Sequence, residues 1–390
     1  MEKNERLMSL DALRGADMLC IMGGGALVIA LCELLGFGRD CWLATQMTHV
    51  AWHGFRHHDT IFPLFLFLAG VSWPFSYASQ RAKGRTTAQI LLKMGFRVAA
   101  LVFFGLWGAR LFGFDFAHLR WDSVLAHIAI GWAGAALLYM FVKSFWARLG
   151  IAAALLVGHY LILRGFTAPD AAALLASTDA EVAKKVASYA AYGTDNFSFT
   201  GNIAGWIDRK FVEIIPGTLH EGIFDPDGIL GKMTGLVTAS MGIFAGELLR
   251  RKDVTGNRKA LVLLGAGVLT LVLTLAGQPF CPVNKKIWTS TFVLAAGSYS
   301  FFMLALFYWI VDVRQWRRWT FFFRVIGMNS ITVYMMMRFM GFRRIGDYFL
   351  CGVASLGNAP WHNVVGALGQ ILVAWIVLWY FYRKNTFLRV

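Results

Sequence analysis

Apolar runs of about twenty residues recur down the whole chain, separated by short polar connections. About 20 apolar residues are what an α-helix needs to cross the hydrocarbon core of a bilayer. Runs of that length fall at 12–35, 60–79, 91–113, 123–142, 146–164, 228–249, 259–277, 287–311, 319–340 and 361–382. The pattern predicts an all-α polytopic bundle of about ten transmembrane helices forming one domain, 1–390. The segment 343–356 is too short to span and reads as re-entrant. The stretch 166–226 is the long connection, and its middle, APDAAALLASTDAEVAKKVASYAAYG (168–193), reads as a surface helix.

Composition agrees with the pattern. Residues are 57% hydrophobic and only 15% charged, whereas about a quarter of a soluble domain is charged. The net charge of +15 would suggest a nucleic-acid partner in a soluble protein. Here the cations cluster at the ends of apolar runs, which is the footprint of membrane topology, so no nucleic acid is expected. With the N-terminus placed inside, Lys3, Arg6 and the other inward ends carry 21 Lys and Arg, against 9 in the outward connections, Arg110 among them. Both termini are therefore expected in the cytoplasm, which puts 166–226 outside. The polar N-terminus and the run after it carry no small-residue cleavage site and read as a retained first helix. The five cysteines show no CxxC spacing, and a Cys41–Cys281 bridge would require both to face an oxidising compartment.

Polar residues beside or inside spans are costly and are candidates for function. The richest group is MTHVAWHGFRHHDTIFPLFLFLAG, with His49, His53, His57, His58 and Asp59 ahead of the second span. Three readings are open. The histidines are interfacial hydrogen-bonders, or they supply a base or acyl acceptor that titrates near neutrality, or they hold a metal. The spacing of His49, His53 and His57 suits zinc on a helix, but Gly54 interrupts it and no second pair completes a set, so no metal is expected. Asp59 either orients an imidazole or holds a cationic substrate, or else N-caps the second helix. Gly23, Gly24 and Gly25 permit close approach of a helix or ligand. Asp11 and Arg14 form an ion pair at i, i+3 that staples the helix or offers Arg14 to a phosphate. Asp225 and Asp227 of DPDGILG either cap a helix or meet a cationic ligand. Asn284 and Lys285 open the eighth span on the same outer side, and Asn329 and Ser330 sit inside the ninth. A bundle with such residues also fits a transporter of small solutes.

In order, SLDALRG (9–15), MGGG (22–25), THVAWHG (48–54), DTIFPLFLFLAGVS (59–72), DPDGILG (225–231), NKKIWTSTFVL (284–294), VDV (311–313), GMNSITVY (327–334) and the terminal FLRV resemble the heparan-alpha-glucosaminide N-acetyltransferase family and its bacterial relatives. The resemblance implies transfer of an acetyl group from cytoplasmic acetyl-CoA to the amine of a glucosamine unit across the membrane. It makes His49 the catalytic histidine, assisted by Asp59. Trp52, His53, Asp225, Asn284 and Lys285 are then expected around the amino sugar. Arg14, Gly24, Arg97, Arg317, Arg318, Arg324, Asn329 and Ser330 are expected around acetyl-CoA, arginine suiting phosphate through its bidentate fork. The resemblance further implies a homodimer among the lipids of a bacterial inner membrane.

Overall fold

The structure, a computed structural model, describes residues 7–109, 111–220 and 222–388. Lys3, Arg6, Arg110 and the Arg389–Val390 end of FLRV lie outside them. The helices are α1 (Met8–Leu19), α2 (Gly25–Leu34), α3 (Trp42–Gln46), α4 (His57–Ala82), α5 (Thr87–Gly108), α6 (Val124–Phe141), α7 (Phe145–Gly165), α8 (Ala171–Leu175), α9 (Ala180–Ser188), α10 (Ile203–Ile214), α11 (Ile229–Arg250), α12 (Gly256–Gly277), α13 (Ser290–Tyr308), α14 (Thr320–Gly327), α15 (Ser330–Phe339), α16 (Phe342–Ala354) and α17 (Ala359–Arg383). No strand occurs among the described residues.

Nine of the ten expected spans are helical segments long and apolar enough to cross a membrane among the described residues. In two of the ten a residue inside the expected span leaves helical geometry. The first, Met8–Leu34, contains a π-turn at Cys20–Gly24, where Gly23 adopts φ 131°. Only glycine takes that conformation without strain. The Met22 carbonyl receives a hydrogen bond from Gln370 Nε2 of α17 at 2.9 Å, as a kink inside a bilayer requires. The glycine run thus bends the helix as well as packing it. The ninth expected span, 319–340, is not one helix but α14 and α15. Asn329 leaves helical geometry at φ −119°, ψ 25°. Gly327 lies so close to α1 that a Cβ there would stand 1.9 Å from the Asp11 carbonyl oxygen.

The segment read as re-entrant is α16, an antiparallel partner of α17, with Trp361 Nε1 donating to the Val353 carbonyl at 2.9 Å. The surface helix expected over 168–193 is two helices, α8 and α9. Between them Asp179 accepts the backbone N–H groups of Glu181 (2.9 Å) and Val182 (3.1 Å) and so begins α9 anew.

Two contacts set the frame of the site. Helices α4 and α11 meet through small residues: a Cβ at Gly70 would lie 2.1 Å from the Ala239 carbonyl oxygen, and one at Gly242 2.0 Å from that of Phe67. Backbones this close gain dispersion contact that two leucine-covered helices in lipid would not. At the other end of the bundle, the Asp312 carboxylate accepts the N–H groups of Met8 and Ser9, each at 3.2 Å, neutralising the N-terminus of α1. The long connection 166–226 folds over the opposite end, the one with His49, around a second apolar cluster of Trp52, Phe197, Phe199, Phe224 and Ile287.

Candidate active site

Residues 48–56 contain no helix, so His49, His53 and His57 do not share a helical face as their spacing suggested for a metal. The stretch is pinned by Trp52, which is buried, donates Nε1–H to the Phe197 carbonyl at 2.8 Å and meets Tyr189, Phe199 and Phe224 edge-on. Gly54 turns the chain at φ 126° and donates its N–H to the Val283 carbonyl at 2.8 Å. Helix α4 begins at His57, earlier than the apolar pattern placed it. Asp59 is therefore its third residue and not its N-cap. One carboxylate oxygen of Asp59 accepts the Arg56 backbone N–H at 3.2 Å, and the other lies 2.7 Å from His49 Nδ1. The expected N-cap role is thus corrected: the cap position is Arg56, whose backbone N–H Asp59 accepts from inside the first turn, while its other oxygen faces the imidazole.

Lys285 joins this pair from the loop before α13, its Nζ 3.2 Å from His49 Nδ1 and 3.5 Å from Asp59 Oδ1. Asn284 shapes that loop. Its Oδ1 accepts the N–H groups of Lys286 (2.8 Å) and Ile287 (3.2 Å), and its Nδ2 is 3.3 Å from His53 Nδ1. Burial pushes the Lys285 ammonium down from its ordinary range, against the pull of Asp59 and Asp227. Burial likewise lowers His53, with Asp195 opposing.

His49, Asp59, Lys285, Trp52 and Ser330 line one cavity of about 650 Å³, set among α1, α4, α6, α15 and the loops above them. His58, whose ring centroid is 4.5 Å from that of His49, lines it too, with Asp17, Arg120, Asp227, Tyr334 and Arg338. The volume suits a small-molecule site.

The remaining expected residues fall elsewhere. Asp225 is 2% exposed and held bidentately by Arg120 at 2.6 and 2.5 Å; the same guanidinium reaches Asp227 at 2.8 Å. Asp225 thus fastens the loop, while Asp227 and Arg120 face the cavity. The start of α11 is capped from α10: Asp208 accepts the N–H groups of Asp225 and Ile229, both at 3.1 Å. Burial pushes the Asp208 carboxyl up to about 7, helped by Asp122 and Asp225 and opposed by its two N–H donors. Arg14 donates to the Leu68 carbonyl (3.2 Å) and to Ser72 Oγ (2.5 Å), close enough to Arg97 to repel it. Arg97 stacks over Trp132 at 4.2 Å. Arg324 is half-buried, and Arg317 and Arg318 are exposed on the link before α14. Gly24 belongs to the π-turn, and Asn329, buried behind Ser330, donates to the Val325 carbonyl at 3.3 Å. Sequence reasoning passed over Asp17 and treated Arg120 only as topology. Asp17 had left a signal, an acid inside an apolar run.

The fold and site define a multi-pass α-helical membrane protein with an ionisable pocket at one end of the bundle. No family model matches the chain. It is 25% identical to the heparan-alpha-glucosaminide N-acetyltransferase of Homo sapiens and 27% identical to that of Mus musculus, each alignment covering 99% of this chain. The chain is similar to these heparan-alpha-glucosaminide N-acetyltransferases along nearly its whole length. It spans 60% of the length of these curated relatives.

Proposed function

We propose that the chain moves an acetyl group from acetyl-CoA to the amine of glucosamine or a related amino sugar, with His49 as the base or acetyl carrier. The observation that supports this most is the His49–Asp59–Lys285 group in the wall of a cavity reaching down between α1 and α15. The names of the relatives, N-acetyltransferases of a glucosaminide, agree with it. In a neutral imidazole whose Nδ1–H faces Asp59, the lone pair is on Nε2. The amine attacks the thioester carbonyl, Nε2 takes the proton it gives up, the C–S bond breaks, and the thiolate leaves and is protonated. Asp59 stabilises the imidazolium, and Lys285 is the cation assigned to the carbonyl oxygen as it gains charge. In the carrier route Nε2 itself attacks the thioester and hands the acetyl group on; parallel rather than intersecting double-reciprocal plots distinguish that route.

Arg14 and Arg97, with Arg324, Arg317 and Arg318 beyond them, are assigned to the phosphates of acetyl-CoA, and Asn329 and Ser330 to its path. The sidedness rests on the charge bias, donor in the cytoplasm and acceptor outside; a bacterial inner membrane and a homodimer are what the family resemblance implies. The test is transfer of radiolabelled acetyl from acetyl-CoA to glucosamine by the purified protein in detergent. His49→Ala is expected to lose about 10²-fold or more, and a folded His49→Ala protein with full transfer would overturn the reading. The kink in α1 and the break between α14 and α15 are features that transporters use to build solute sites. Glucosamine uptake by sealed vesicles without acetyl-CoA would favour that second reading.

A further inference from the structure

Among the described residues, two buried polar atoms without a hydrogen-bond partner belong to residues of the cavity wall: His58 Nδ1 and Asp17 Oδ2. His58 stands beside His49 and belongs to the group already described. Asp17 does not. It is on α1, 7% exposed, among Met18, Ile21 and Phe65 on the cavity wall, with Ser330 and Ile331 of α15 also lining the space. Ionised or neutral, a carboxyl group has an oxygen that accepts hydrogen bonds, and one left unpartnered in an apolar wall is costly. The missing partner is a donor that a ligand brings.

The order of groups along α1 says which ligand. Arg14 lies one turn before Asp17 on α1, outside the cavity lining and on the side of the phosphate-holding cations assigned above, while the His49 group shares the cavity wall with Asp17. A donor molecule laid between them presents to Asp17 neither its phosphates nor its acyl carbon but the arm that joins them. That arm is uncharged, and its hydrogen-bond donors nearest the sulfur are secondary amides. The acceptor's amine is drawn instead to the His49 end, which has its own carboxylates, Asp59 and Asp227.

We propose that Asp17 is a positioning residue that accepts a hydrogen bond from an amide N–H of the acyl donor's thiol arm and so sets the depth at which the thioester meets His49. The inference rests on the acetyl-CoA reading given above. A neutral acceptor suffices for the bond, so Asp17→Asn retains it, whereas Asp17→Ala and Asp17→Leu remove it.

The experiment compares two short donors in the purified full-length protein: S-acetyl-N-acetylcysteamine, which has the amide, and its oxygen-ester counterpart, which does not. Acetyl-CoA is run alongside, and melting temperatures confirm that each variant is folded. The wild-type protein is expected to favour the amide donor about tenfold in kcat/KM, Asp17→Asn to keep most of that preference, and Asp17→Ala and Asp17→Leu to lose it with KM for glucosamine unchanged. Failure of the wild-type protein to turn over acetyl-CoA would overturn the underlying reading and this inference with it. Turnover of acetyl-CoA with no amide preference in the wild type would overturn the assignment of Asp17 alone. So would an undiminished preference in both Asp17→Ala and Asp17→Leu, or a change in glucosamine KM with the donor parameters intact.

Discussion

Asp59→Asn removes one charge and keeps the shape, and its effect can be worked from the structure. Nδ1 of His49 lies 2.7 Å from Asp59 Oδ1. At that distance opposite unit charges attract by about 6 kcal/mol at an effective dielectric of 20 and about 1.5 kcal/mol in water. The Asp59 side chain is 2% exposed but that of His49 is 54% exposed, so the lower part of the range applies, about 2–3 kcal/mol. A second effect adds to it. The carboxylate meets Arg56 N–H and His49 Nδ1 with different oxygens, with Lys285 also beside Oδ1, and asparagine has one acceptor oxygen. If that oxygen stays with Arg56, the amide NH₂ faces His49 and selects the tautomer with the proton on Nε2, the wrong nitrogen for a base. We expect kcat to fall by at least about 30- to 150-fold while the protein stays folded. The assay is steady-state acetyl transfer by the wild type, Asp59→Asn, His49→Ala and the double variant. Because the carboxylate acts through the imidazole, Asp59→Asn should add little in the His49→Ala background. Wild-type kcat in Asp59→Asn, or penalties that simply multiply in the double variant, would refute the pairing.

Three further outcomes follow from the packing and the ion pairs. Arg120→Ala leaves Asp225 and Asp227 buried without their cation and should cost about 3–5 kcal/mol, read as a lowered melting temperature and faster proteolysis within 166–226. Gly242→Ala drives a Cβ to 2.0 Å from the Phe67 carbonyl oxygen and should cost about 1–3 kcal/mol. Gly95→Ala, in mid-helix with nothing within 4 Å, is the control in the same melting experiment and should stabilise by up to about 1 kcal/mol. Burial pushes the Asp208 carboxyl up to about 7 from the ordinary 3.8, so between those values the folded protein holds a proton that the unfolded chain has already released. Stability should therefore fall as pH rises from about 4 to about 7. Asp208→Asn should flatten that slope in melting curves recorded across the window, and an unchanged slope would count against it.

The apolar periodicity by itself determined that the chain is an all-α membrane protein, because a bilayer demands continuous apolar runs of fixed length and such runs are legible locally. It also located nine of the spans to within a few residues. The pattern overran at 319–340, where apolar character continues through a break made by Asn329 and by the approach of Gly327 to α1. It missed the π-turn at Cys20–Gly24 for the same reason: bilayer solubility depends on composition, whereas a kink depends on whether another helix, here through Gln370, satisfies the freed carbonyl.

Sequence singled out His49, Asp59 and Lys285 as polar residues at span ends. Tertiary structure alone decided that Lys285, more than two hundred residues away, stands within 3.2 Å of His49. It also decided that Asp225 is bound up with Arg120, and that Asp17 faces the same cavity as the histidine. Those outcomes depend on how α1, α4, α11 and α15 cross and on the loop folded around Trp52. Helix crossings are set by packing between distant segments, and no local pattern in the chain records them.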